Sequence, residues 1–201
     1  DTYNQPQDST VEESDYRSIG IIDDAFKIHA DRIRARIDID AIRAAKLKVA
    51  ADCCNGVGAY YTKEFLESLG CEVVPVFDEK DGLFRRPPEP VAANLTRLCE
   101  TVTANGCAVG FAQDPDGDRI SLVDECGRAL GEQYSTLIPA LRVLQRNRGP
   151  VVANIQTTKA LGDLAARFDV PVFYSKVGEV NVAEAMRLRG AVFGCEGGSG
   201  G

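Results

Sequence analysis

Two rhythms of apolar positions alternate along most of this chain. Residues 47–51 read as a strand, the turn 52–58 follows, and 59–69 carry helical spacing. Gly70 closes that helix in the usual C-cap place. A second strand is expected over 71–77, then a long loop marked by Asp81-Gly82 and Pro87-Pro88-Glu89-Pro90. A helix over 91–105 and a strand over 107–113 complete the first unit, with a further alternating strand at 120–124. The hairpin-like turn 124–128 leads into a repeat of the scheme: helix 133–147, strand 150–155, helix 158–168, strand 171–175, helix 181–188 and strand 191–194. Strands alternating with helices of this length predict βαβ units and a largely parallel sheet. The expected fold class is therefore α/β: two similar βαβ-rich three-layer domains, each a small mixed, largely parallel sheet flanked by helices.

Residues 1–45 fit less well. Residues 1–19 are polar without apolar period and read as a linker or arm. From 22 to 37, Ala25, Phe26, Ile28, Ile33 and Ile37 roughly follow helical spacing, and 40–45 form a short helical piece. His29, the only histidine, sits inside the longer helix, where a surface or packing role is expected. One such residue assembles no Ser-His-Asp or metal-histidine chemistry. The domain boundaries expected are 20–129 for the first α/β domain and 130–201 for the second.

Charge and cysteine content narrow the classes. A formal charge of −7 opposes nucleic-acid binding, which demands a basic face. No apolar run approaches the roughly 20 residues a membrane span needs, and the polar, acidic start is unlike a signal peptide. Seven cysteines without a C-x-x-C pair do not read as a disulfide framework or zinc ribbon, so a reduced, cytoplasmic setting is expected.

The chemistry concentrates in Asp114-Pro115-Asp116-Gly117-Asp118-Arg119, directly after the third strand. Three carboxylates at alternate positions on a tight turn repel one another unless a cation joins them. A hard divalent ion such as Mg²⁺ suits oxygen ligands and keeps room for water or a phosphate oxygen. Arg119 cannot ligate metal but can hold a phosphate bidentately beside it. A calcium EF-hand register exists through Glu125, but Arg119 stands where the sharp turn wants Gly, and strands rather than helices flank the loop. A haloacid-dehalogenase-type phosphatase also places an Asp pair after a strand, yet the Thr or Val expected after the second spacer is absent. The second unit likewise ends in a loop, Glu196-Gly197-Gly198-Ser199-Gly200-Gly201. A carboxylate and a hydroxyl on a glycine-rich turn suit sugar hydroxyls, though an acidic turn or a Gly-Ser tail reads the same way. Both loops follow strands, where ligands of open α/β sheets gather.

The stretch DPDGDR after an apolar strand resembles the metal-binding loop of the α-D-phosphohexomutases, the phosphoglucomutase and phosphomannomutase family. Asp52 with Asn55-Gly56 is similar to the family's Asp-x-x-Asn-Gly turn, and Pro88-Glu89-Pro90 with Asn94-Leu95 to its Pro-Glu-Pro segment. Lys176-Val177-Gly178-Glu179 resembles the Val-Gly loop near the substrate phosphate; Lys176 could meet an anionic sugar phosphate or stand solvated. Glu196 and its glycines resemble the sugar-binding loop, usually Glu, one residue, Ser or Asn, then Gly. Here two glycines intervene, so either Ser199 is displaced by one place or Gly198 takes the hydroxyl position. The resemblance covers 47–201 and implies the family's second domain and most of its third. It implies Mg²⁺ on Asp114, Asp116 and Asp118, a catalytic Arg119, and a phosphorylated hexose held by Glu196, Ser199 and Lys176. It further implies a glucose 1,6-bisphosphate-type activator, and a phosphoserine from a first domain with a phosphate clamp from a fourth. Neither pattern occurs in these residues, so a fragment inactive by itself is expected, with the general acid and base left open. The alternatives are a Mg²⁺-dependent phosphatase with Asp114 as nucleophile and a non-catalytic cation-binding module.

Overall fold

The computed structural model describes residues 24–198. The expected arm at 1–19, the first residues of the helix read from 22, and Ser199 lie outside the described residues. Residues 38–201 form one compact unit; α1 (Ala25–Arg34) belongs to the other, which ends at Ile37. Within α1, Asp31 pairs with Lys27 at 2.6 Å and Arg34 at 2.9 Å, and His29 is exposed. The short helix α2 (Ile39–Ala45) starts where the Asp38 carboxylate accepts a hydrogen bond from the Ala41 N–H.

The larger unit holds two sheets. The first is ordered β2-β1-β3-β4, from β1 (Lys48–Asp52), β2 (Glu72–Val76), β3 (Val109–Gln113) and β4 (Ile120–Asp124). Its first three strands are parallel, and β4 turns back antiparallel to β3. The second is ordered β6-β5-β7, all parallel, from β5 (Val151–Asn154), β6 (Val172–Ser175) and β7 (Phe193–Cys195). So the first strand of each sheet lies inside it, with that sheet's second and third strands on either side.

Helices explain why those central strands carry almost no exposed atoms. On β1, Val49 and Ala51 alternate with Ala50 and Asp52, and all four are buried, as parallel strands covered on both faces are. Between the strands run α3 (Gly58–Ser68), α4 (Thr96–Asn105), α6 (Ala160–Ala166) and α7 (Glu179–Arg189). Leu98 and Val102 of α4 pack on Ala50, Ala112 and Val123. Ala140 and Leu144 of α5 (Tyr134–Arg146) and Leu161 of α6 pack on Val151 and Ala153. The helix α5 also touches both β4 and β7.

Several boundaries moved for local reasons. The single helix expected over 91–105 is a 3₁₀ turn, Ala92–Asn94, followed by α4. Leu95 between them is fully buried, and the Asn94 amide donates to the Glu89 carbonyl, so the chain breaks direction to seat Leu95. Helix α7 begins at Glu179, two residues before the expected start, because Gly178 at φ 115° supplies its entry turn. The last strand lies at 193–195 rather than 191–194. No described helix is long and apolar enough to cross a membrane.

Candidate functional site

The acidic loop joins β3 to β4 and closes on its first residue. Asp114 is fully buried, and its Oδ1 accepts the backbone N–H groups of Gly117 and Arg119, both at 3.1 Å. Its Oδ2 accepts from Arg119 Nε at 2.7 Å. Asp116 and Asp118 are exposed, and an oxygen from each of the three carboxylates lies within 4.8 Å of the others. Burial opposes the charge on Asp114, but the Arg119 side chain, the Arg119 N–H and Asp118 hold its pKa below the usual value. Asp118 is pushed up, by its hydrogen bond with Asp114, by burial, and by the charges of Asp114 and Asp116. A cluster that pushes one member's pKa up is short of positive charge, and its all-oxygen donor set fits a hard divalent cation.

The base of this loop is a buried ion pair. Arg86 Nε meets Asp52 Oδ2 at 2.8 Å with both side chains almost wholly shielded. The rest of the guanidinium donates to the carbonyls of Pro87, Pro88 and Gln113, the last residue of β3. Burial pushes the Asp52 carboxyl up against the pull of Arg86. Beside it, Cys54 and Asn55 adopt left-handed backbone, at φ 51° and 52°. Gly56 serves another need: a Cβ there would stand 2.2 Å from the Pro115 carbonyl oxygen, and the Val57 N–H donates to that same oxygen at 2.8 Å. The turn after β1 is thus pressed against the acidic loop.

The second loop is held by neutral donors. Glu196 Oε1 accepts from the Gly178 N–H at 2.6 Å and from Asn154 Nδ2 at 2.9 Å. Asn154, buried at the end of β5, accepts through Oδ1 from the Gln156 N–H and Thr157 Oγ1. Thr157 Oγ1 in turn accepts from the Gly197 N–H at 2.8 Å. Burial pushes the neighbouring Cys195 thiol up to about 11, and the Cys53 thiol near the first loop up to about 12.

Both loops face one cleft of about 590 Å³. Asp118 and Arg119 line one side, with Asn154, Gln156, Glu196 and Gly198 among the lining of the other. Val177 and Glu179 from the turn after β6 also line it, and Lys176 is exposed beside them. Sequence reasoning missed Arg86, Asn154 and Thr157. Arg86 follows Arg85, which is exposed and pairs with Asp81, so nothing in the sequence separated the buried arginine from its neighbour. Asn154 fell inside a stretch read only as strand. The glutamine at 113, whose Oε1 accepts from Thr62 Oγ1, was likewise read only as strand.

This arrangement has close parallels. Residues 27–127 match the family description "Phosphoglucomutase/phosphomannomutase, alpha/beta/alpha domain II", and 131–201 match its domain III. The chain belongs to the phosphoglucomutase/phosphomannomutase family. A phosphoglucomutase/phosphomannomutase of Thermococcus kodakarensis is 36% identical over 176 residues, which is 87% of this chain and 39% of the relative. A relative from Methanopyrus kandleri, named a probable phosphoglucosamine mutase, is 33% identical over 96% of this chain and 43% of its own length. Among solved structures, a phosphoglucomutase/phosphomannomutase family protein of Burkholderia thailandensis is 30% identical with a TM-score of 0.72, over 85% of this chain and 38% of that one. This phosphohexomutase-family chain therefore spans about two-fifths of the length of such relatives.

Proposed function

We propose that this chain supplies the magnesium-binding and sugar-binding parts of a phosphohexomutase that interconverts hexose 1-phosphate and 6-phosphate. One observation carries the reading: the acidic loop and the Glu196 loop line the same cleft, a cation-ready end opposite a hydroxyl-ready end. Asp114, Asp116 and Asp118 would hold Mg²⁺. When bound, the ion supplies positive charge to the oxygens of a transferring phosphoryl group. Arg119 adds a guanidinium on the cleft side, and its pairing with Asp114 keeps that group aimed from the loop. Glu196 accepts hydrogen bonds from sugar hydroxyls, and the glycines after it let the ring approach the backbone. Ser199 and Lys176 belong to the same sugar and phosphate reading.

The transferred group itself comes from a phosphoserine: its phosphoryl passes to the free hydroxyl of a hexose monophosphate, leaving the serine hydroxyl. The bisphosphate then returns its other phosphoryl to that serine, so the second product is the isomeric monophosphate. A hexose 1,6-bisphosphate would serve as activator by rephosphorylating the serine. No Ser-His pair occurs in these 201 residues, so this serine is assigned outside them. The phosphatase alternative would need Asp114 as nucleophile, and it predicts phosphate release without isomerisation.

The test is a coupled assay on the gene product as encoded, with glucose, mannose and glucosamine 1-phosphates, Mg²⁺ and a hexose 1,6-bisphosphate. Mutase turnover that collapses in Asp116→Asn supports the reading. Full turnover in that variant, or phosphate release without isomerisation, overturns it.

A further inference from the structure

The Glu196 loop contains a device that the sugar-binding reading does not require. Glu196 does not stand alone on a glycine turn: the ends of two other strands, β5 and β6, converge on it. From the loop after β5 comes Asn154, 1% exposed, whose Nδ2 reaches Glu196 Oε1 at 2.9 Å and the Gly197 carbonyl at 3.3 Å. From the turn after β6 comes the Gly178 N–H, at 2.6 Å from the same oxygen. From the turn after β5 comes Thr157, whose hydroxyl donates to Asn154 Oδ1 at 2.8 Å while accepting from the Gly197 N–H. Both polar atoms of the Asn154 amide are used: Nδ2 on the loop that presents Glu196, and Oδ1 on Gln156 and Thr157 of its own turn.

A buried amide with this set of partners is expensive to assemble and expensive to disturb, since any unpaired member loses its solvation without return. Core packing would have filled the end of β5 more cheaply with an apolar side chain. The position also matters for the neighbouring turn. Gly178 adopts φ 115°, a backbone that other L residues rarely take, in the turn whose N–H donates to Glu196. Two loops lining the cleft therefore share one carboxylate oxygen, and Asn154 fixes where that oxygen lies.

We propose that Asn154 is a positioning residue, which sets the orientation of Glu196 and, through it, locks the Glu196 loop to the Gly178 turn. Both loops then meet a ligand in one arrangement. The proposal rests on the reading of Glu196 as the sugar-binding carboxylate for its consequence, though not for its geometry. A sugar phosphate bound in two opposite orientations needs hydroxyl-gripping groups that do not relax between them, and a fully satisfied amide is a rigid means to that end.

The experiment uses the 201-residue chain, ¹⁵N-labelled, with Asn154→Ala, Asn154→Asp, Thr157→Val and Thr157→Ser. The first readout is the Gly178 backbone amide, whose short hydrogen bond to a carboxylate gives it a downfield shift and slow exchange. The second is the dissociation constant for glucose 1-phosphate with Mg²⁺, read from the cleft amides. In Asn154→Ala and Asn154→Asp the Gly178 amide is expected to move upfield and exchange faster, and sugar-phosphate affinity to fall about tenfold or more. Thr157→Val should move Gly178 in the same direction by less, and Thr157→Ser, which keeps the hydroxyl, should restore it. A Gly178 amide at its parent position in a folded Asn154→Ala chain overturns the proposal. Should both Asn154 variants fail to fold, an unmoved Gly178 in Thr157→Val overturns it instead. If the parent chain binds no glucose 1-phosphate while Gly178 responds as expected, the positioning role stands and the sugar reading falls.

Discussion

The two loops that face the cleft are built on opposite electrostatic plans. The loop after β3 gathers three carboxylates and answers them with charge: Arg119 pairs with Asp114 at the rim, and Arg86 with Asp52 at the base. The loop after β7 carries one carboxylate and answers it with neutral donors, the Gly178 N–H and the Asn154 amide. A charged site needs a buried counter-charge to hold its backbone, and it stays short of positive charge at its exposed edge. A neutral cradle holds its carboxylate without such a deficit, which leaves Glu196 suited to hydroxyls rather than to a cation. On the proposed reading, two sheets with a shared parallel core would serve a cation at one strand end and a polyol at the other.

The strongest way to break this contrast is Arg86→Met. Leaving Asp52 buried without its partner should cost about 3–5 kcal/mol in urea unfolding. The Gln113 carbonyl would also lose its guanidinium donor, so Mg²⁺ binding should fall along with stability. Arg86→Lys keeps the charge but not the fork to Asp52, Gln113 and the proline carbonyls, and should recover only part of the loss. Unchanged stability in Arg86→Met would remove the base from the account of the first loop.

Gly56→Ala probes the same loop sterically. The added methyl would meet the Pro115 carbonyl at 2.2 Å, so backbone must move. A loss of about 1–3 kcal/mol is expected, with weaker Mg²⁺ binding measured by titration calorimetry and no change at the Gly178 amide.

Asp116→Asn acts at the exposed rim, so its effect on unfolding should stay within about 0.5 kcal/mol. Cation affinity should nevertheless drop clearly, and retained affinity would detach Asp116 from the metal reading.

The gentlest probe is pH. Asp118 titrates above its ordinary value of 3.8, so a proton competes with a cation there, and Mg²⁺ affinity should climb as pH rises through the window above 3.8. Without metal the stability signs oppose one another. Asp118 binds its proton more tightly folded than unfolded, so its contribution declines as pH rises through that window. Asp114, held below 3.8, contributes stability that is present above that value and lost as pH falls beneath it.

Much of this was legible in the chain and some was not, for physical reasons. The alternation of strands and helices is a local signal, and it located β1 to β7 to within about two residues. The acidic loop was legible because like charges so close in sequence demand an explanation wherever the fold places them. Arg86 and Asp52 were not, because they lie 34 positions apart and meet only through the third dimension. Asn154 hid for the converse reason: a polar residue ending a strand looks like the start of any turn until its partners at 196 and 197 come alongside. The split of the helix expected over 91–105 turned on burying Leu95, a tertiary demand that local spacing does not record.

The central claim is that the two loops serve one ligand together. It is tested most directly by titrating the ¹⁵N-labelled chain with glucose 1,6-bisphosphate in the presence of Mg²⁺. The account predicts that the amides of residues 116–119 and those of Gly178 and residues 196–198 move together with a single dissociation constant. It also predicts that Asp116→Asn weakens both responses. Movement of one loop while the other stays still, or two unrelated constants, would contradict it.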